Sequence, residues 1–245
     1  MDPQVTTGGE QAADEMPTLP WRTPRKATPV RQPLSQGAIV ATAMAILDAE
    51  GLDAVTMRRV AQALTTGSSS LYAHVASRDE LLDLMVDRVA GEIQVPAPDP
   101  GRWQEQLKVY ARDAQAVWTS HADIAKVSLA NIPTGPNMLR LYEGVLALLR
   151  AGGLSAQMSA WALDRLHLYI GADVFEGALW GAKLKDESDI AGYLHALRTY
   201  FRSLPPDRFP LITSLVDSLT AGEGNQRFEF GIDILVRGLA SYGDR

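Results

Sequence analysis

Three consecutive hydroxyls, Ser68, Ser69 and Ser70, stand directly before Leu71-Tyr72-Ala73-His74-Val75. A hydroxyl both donates and accepts, so such a run can bind phosphate oxygens or base edges where large apolar side chains would block approach. Leu71 and Val75, four apart, share one helical face and can hold the segment to a core. Tyr72 and His74 flank that face with polar tips able to reach phosphate, and Ala73 leaves room for a thymine methyl. From these residues alone two readings stand. One is a serine-rich turn before an ordinary helix; the other is a helix whose N-terminal end enters a nucleic-acid groove.

Other chemistry is poorly provided for. The four histidines, His74, His121, His167 and His195, are each isolated, and there is no cysteine. No H-E-x-x-H, G-x-S-x-G or phosphate-binding glycine loop occurs. Asp164 and His167, three apart, would give a metal only two ligands, a poor site. An enzyme is therefore not expected, nor a metal or cofactor. Without thiols, disulfides and thiolate metal sites are excluded, which suits a reducing cytosol. No apolar run reaches about 18 residues and no apolar leader segment is present, so neither a membrane span nor a secretory signal is expected.

The net charge of −6 argues mildly against nucleic acid, but its distribution matters more. Between residues 20 and 78 seven cations face three anions, a local +4 that leaves −10 on the rest. A basic N-terminal piece on an acidic body fits a DNA-binding module joined to something else. Chance clustering with a solvated tail would give the same numbers.

The elements that must position these residues read as helices. Residues 1–33, rich in Pro, Gly and Thr, are expected to be a disordered arm whose basic second half, "WRTPRKATPVRQP", could add DNA contacts. Ser35 is expected to cap a first helix with an apolar stripe of Ile39, Val40, Ala43, Ile46 and Leu47, ended by Gly51. Thr56 opens a short second helix with Met57, Val60, Ala61 and Leu64, and Thr65-Thr66-Gly67 breaks it. A third short helix is expected over residues 68–74. Ser77 caps a fourth, running to about residue 94, with Asp79 and Glu80 where carboxylates suit the helix dipole. Two short helices joined by a tight turn are the signature of a helix-turn-helix.

"VPAPDPG" at 95–101 separates that domain, residues 34–94, from a second over residues 102–243. There Trp103, Leu107, Tyr110, Ala114 and Val117 form one stripe, and Met138, Leu141, Tyr142, Val145, Leu148 and Leu149 another. Ser155 opens a long helix to about residue 180, and Ser188 a further one stopped by Pro205-Pro206. Pro210 starts a short helix to Leu219, and residues 228–242 close the chain. The expected fold is all-α: a three-helix DNA-binding domain and a larger helical domain.

The stretch "AILDAEGLDAVTMRRVAQALTTGSSSLYAHVASRDELLDLMVDRV" resembles the DNA-binding domain of the TetR (tetracycline repressor) family. The shared pattern here is Gly51, Thr56, Val60-Ala61, Leu64, Leu71-Tyr72-Ala73-His74-Val75 and Leu81-Leu82. The resemblance implies that Arg58, Thr66 and Ser68 to Ser70 face DNA, with Tyr72, His74 and Arg78 as phosphate contacts; Arg59 is equally a plain solvated charge. Where the family's turn commonly reads Leu-Gly-Val, this chain has Leu64-Thr65-Thr66 and places Gly67 afterwards, so a slightly shifted turn is expected.

The resemblance extends over residues 35–242, into the ligand domain of the tetracycline-repressor branch, on Trp103, His121, Ala125-Lys126-Val127, Pro133, Gly152-Gly153 and "RFEFGIDILVRGL". It implies a homodimer whose helices near 155–180 and 225–242 form a four-helix bundle, Gly231 and Gly238 permitting close approach. Two reading helices on a two-fold scaffold imply a near-palindromic double-stranded operator. The branch's drug-binding positions correspond to Tyr110, Ala114 and Gly144, its magnesium-binding histidine to Ser128, and a neighbouring threonine to Asn131. With that histidine absent, tetracycline–magnesium is not the expected effector. The polar candidates of the core are Tyr110, Ser128, Asn131, Tyr142 and His167, around a small, largely apolar, ring-containing molecule. Binding there would shift the fourth helix and change DNA affinity. The alternative is a small-molecule-sequestering protein with a vestigial DNA domain.

Overall fold

A computed structural model describes residues 34–128, 134–184, 186–222 and 225–243. These residues hold helices and no strand. In chain order the helices are α1 (Gln36–Glu50), α2 (Met57–Ala63), α3 (Ser68–Leu71), α4 (Arg78–Ala90), α5 (Trp103–Ser120), α6 (Ala122–Ser128), α7 (Pro136–Ala151), α8 (Ala156–Lys183), α9 (Glu187–Ser203), α10 (Pro210–Ser214), α11 (Val216–Leu219) and α12 (Gln226–Gly243). The arm over residues 1–33 lies outside the described residues.

Local chemistry sets most boundaries. Ser35, Thr56, Ser77 and Ser155 each accept a hydrogen bond from a backbone N–H in the first turn of α1, α2, α4 and α8. Gly51 ends α1 at φ 83°, a left-handed conformation that suits glycine. Other boundaries differ from expectation. The cap of α9 is Asp186, whose carboxylate accepts from Asp189 N, and Ser188 lies inside the helix. The segment from Pro210 to Leu219 is two short helices meeting at Leu215. Helix α3 stops at Leu71, the chain continuing as turns, and α4 stops at Ala90.

Around α8 pack α5, α6, α7 and α12. Helix α4 reaches from α1 to α6 and α7, so one continuous apolar core runs from Ile39 to Val236. Two anchors fasten the last turns of α4 to α7. The buried Asp87 carboxylate accepts from the backbone N–H groups of Asn137 and Met138, at 2.9 and 3.0 Å, and from Asn137 Nδ2 at 3.0 Å. A carboxylate from another helix thus satisfies the open N–H groups that begin α7. Gly135 makes this possible, because a Cβ there would run into the Asp87 carboxylate. Arg140 of α7 donates in return to the carbonyls of Ala90 and Ile93, at 3.2 and 3.0 Å.

Candidate nucleic-acid interface and effector site

The turn between α2 and α3 is a helix-ending motif with a threonine in an unusual place. Thr66 N donates to Ala61 O and Thr65 N to Gln62 O, the paired bonds of a Schellman cap. The left-handed residue this cap needs is Thr65, at φ 51°. Gly67 is extended and precedes α3 as its N-cap. The turn is therefore not shifted: Thr65 occupies the position where a glycine was expected.

Below α3, Leu71 and Val75 are 0% and 1% exposed and fix the segment to the core. Above, Ser69, Ser70, Tyr72, Ala73 and His74 are all exposed, and Ser68 and Thr66 are partly so. Arg58 is exposed on α2. Arg59 pairs with Glu50 at 2.5 Å, a hydrogen bond that holds the Glu50 carboxyl below its usual range. Arg78 departs from expectation. Its Nε donates to Val55 O at 2.7 Å and its guanidinium also to Leu52 O at 3.2 Å. This cation turns inward and ties the start of α4 to the chain entering α2, satisfying carbonyls rather than reaching out to phosphate.

Further back, four of the five candidate core residues come together from four helices. Tyr110 of α5 is 5% exposed, and burial, with Tyr142 nearby, pushes its phenol pKa up. The rings of Tyr142 (α7) and His167 (α8) meet edge to face at 6.0 Å and 80°. Ser128 ends α6, buried, with Oγ donating to Ala125 O at 2.8 Å, and its backbone favours the protonated form of the His167 ring. Burial holds the His167 pKa below the usual value of 6.5. Its Nε2 is buried with no hydrogen-bond partner among the described residues. Asn131 lies outside the described residues. Ala114 is buried beside Tyr110 in α5, and Gly144 faces Val95, which a Cβ would approach to 2.9 Å.

A cavity of about 230 Å³ opens beside this cluster between α4, α6 and α7, with Val86, Asp87, Val127, Ser128 and Met138 among its walls. A larger apolar one, about 600 Å³, lies between the end of α8 and α9 to α11, lined by Trp180, Tyr193, Leu194 and Phe201. It contains none of the expected residues. Among the described residues no group of three or more His, Asp or Glu side chains could hold a metal, and Asp164 is paired with Arg165 at 2.6 Å.

Sequence reasoning missed the groups between the two sites. His121, after α5, places Nδ1 3.3 Å from Asp48 of α1 and Nε2 3.6 Å from Glu92, just past α4. Asp123 of α6 accepts from Leu52 N at 3.2 Å. These partners lie far apart in the chain, and no spacing pattern marks them.

Along α8 and α12, Trp161, Phe230, Ile234 and Tyr242 are each more than half exposed, an apolar face on an otherwise packed pair. Gly238 opens onto it with nothing near its missing Cβ. Gly231 has a different cause from the one expected, since a Cβ there would strike the Tyr169 hydroxyl of the same chain. Among the described residues no helix is long and apolar enough to cross a membrane.

Residues 39–85 match the tetR family of bacterial regulatory proteins, and residues 95–242 the tetracyclin repressor-like C-terminal domain. The HTH-type transcriptional repressor DrrR1 of Streptomyces coeruleorubidus is 31% identical over 243 residues, 96% of this chain and 87% of that one. The class D tetracycline repressor of Escherichia coli is 27% identical over 211 residues, covering 84% and 89%. The crystal structure of ActR from Streptomyces coelicolor in complex with actinorhodin is 40% identical with a TM-score of 0.81, covering 87% of this chain and all of that one. The chain belongs to the TetR family of bacterial regulatory proteins and is a helix-turn-helix transcriptional regulator.

Proposed function

We propose that this regulator is a repressor that grips a near-palindromic operator as a homodimer and is altered by a small ring-containing molecule in its core. Ser69 and Ser70, with Ser68 and Thr66 beside them, read base edges. Arg58, Tyr72 and His74 hold phosphates. The observation that carries this is the exposed run from Ser69 to His74, interrupted only by the buried Leu71 that pins it. A vestigial DNA domain in a sequestering protein would have no reason to keep this surface polar and open. The apolar face of α8 and α12 supports self-pairing, which sets two reading helices side by side. The core reading is supported by the meeting of Tyr110, Ser128, Tyr142 and His167, and by ActR having been captured with actinorhodin.

Mobility shifts on palindromic duplexes flanking the protein's own gene test this. Binding is expected to weaken steeply with salt. Ser69→Ala and Ser70→Ala should cost about 1–3 kcal/mol at particular base pairs, whereas Arg58→Ala should weaken all sequences alike and lower the salt slope by roughly one. Absence of salt-dependent binding to any such duplex would sink the proposal.

A further inference from the structure

We infer that His121 is a proton-operated clamp: once charged, it ties the end of α1, in the DNA-binding domain, to the corner between α5 and α6, and operator binding tightens as the pH falls. The effect on the operator rests on the repressor reading above; the clamp itself does not. His121 follows α5 and places Nδ1 3.3 Å from Asp48 of α1 and Nε2 3.6 Å from Glu92, just past α4. The histidine side chain is 16% exposed, whereas both carboxylates are about half exposed.

A carboxylate at each ring nitrogen is an arrangement that one charge state satisfies. A neutral imidazole has one N–H and one lone pair, so one of the two carboxylates faces the lone pair. The imidazolium carries an N–H on both sides and can meet both. The other charged groups at this joint do not replace it. Asp123 of α6 is acidic as well, and accepts from Leu52 N at 3.2 Å. Farther along α1, Glu50 is matched by Arg59. Histidine is the side chain whose charge ordinarily changes within about pH 5 to 8, a range in which carboxylates are ordinarily ionised.

The clamp sits where the DNA-binding helices meet the rest of the chain. Leu52, whose N–H Asp123 accepts, also gives its carbonyl to Arg78 at the head of α4. The end of α1, the start of α4 and the start of α6 thus converge on the turn that follows α1. Fixing that turn removes freedom that the dimer otherwise gives up when both halves engage one operator, and so favours binding. Both pairs are partly solvated, which limits the gain to a few-fold.

His74 has to be kept out of the test, because a cation there also meets phosphate. Full-length His74→Gln protein is titrated by fluorescence anisotropy, at fixed salt, against the palindromic duplex that binds best in the mobility shifts, at about pH 6 and about pH 8. It is expected to bind roughly two- to fivefold tighter at the lower pH. Adding His121→Gln, which stays polar but cannot carry the charge, should remove that step. A second readout needs no DNA: hydrogen exchange at the Leu52 amide, corrected for its intrinsic pH dependence. Protection there is expected to be roughly two- to fivefold greater at the lower pH, and equal at both in His121→Gln. An affinity that shows no step, or a step that survives His121→Gln, overturns the inference, as does equal Leu52 protection at both pH values. Protection that follows His121 without any binding to DNA overturns the repressor reading and leaves the clamp standing.

Discussion

The proposed DNA-facing end and the proposed effector core are built on opposite rules. The residues proposed to face DNA span 17 positions, from Arg58 to His74, and nearly all are open to solvent. The core candidates Tyr110, Ser128, Tyr142 and His167 come from four helices and turn inward. A surface that meets a charged polymer must be held from beneath and left unobstructed above. A pocket must be closed, and its polar groups turn inward from separate elements, here Tyr110, Ser128, Tyr142 and His167. The first kind of site separates packing from recognition, residue by residue; the second combines them in the same side chains.

The sharpest way to break that separation is at Leu71. It is fully buried beneath the exposed serines, so Leu71→Ala should cost about 2–5 kcal/mol of stability, seen as a lower urea midpoint at fixed protein concentration. Ser69→Ala, two residues away, should change stability by less than about 0.5 kcal/mol while weakening the operator complex. Equal losses of stability in both would show that packing and recognition are not separated there.

An intermediate effect is expected between the two regions. Asp87→Ala removes three hydrogen bonds and leaves the first N–H groups of α7 open, a loss of about 1–3 kcal/mol in the same assay. If the joint matters only for stability, the effect of a bound ligand on operator affinity will be unchanged in this variant; a smaller ligand effect would show that it also carries the signal.

The smallest effect should be a gain. Thr65 is β-branched and sits at φ 51°, where glycine pays no steric cost, so Thr65→Gly should stabilise by roughly 1 kcal/mol. Loss of stability instead would mean that the side chain's own contacts outweigh its strain.

The same contrast explains what could be read from the sequence. Caps at Ser35, Thr56, Ser77 and Ser155 and the pinning pair Leu71 and Val75 depend on neighbours three or four residues away, and their pattern is visible in one dimension. Arg78 looked like a phosphate anchor because its targets, the carbonyls of Val55 and Leu52, are 23 and 26 residues back. Gly231 looked like an interface residue because Tyr169, which requires it, is on another helix. Asp87 gave no signal, since the helix end it satisfies begins 50 residues later. The core candidates rested on family resemblance alone; no periodicity brings Tyr110 and His167 together. Ser188 lost the cap of α9 to Asp186 because both residue types cap well and only backbone geometry decides between them.

Helix α4 is fastened near both ends: Arg78 binds the chain entering α2, and Asp87 binds α7. A rod gripped in this way has a fixed phase as well as a fixed length. One residue inserted between those two grips would rotate one against the other by about 100° and lengthen the span by about 1.5 Å. The nine-residue interval from Arg78 to Asp87 thus fixes the phase between the chain entering α2 and the start of α7.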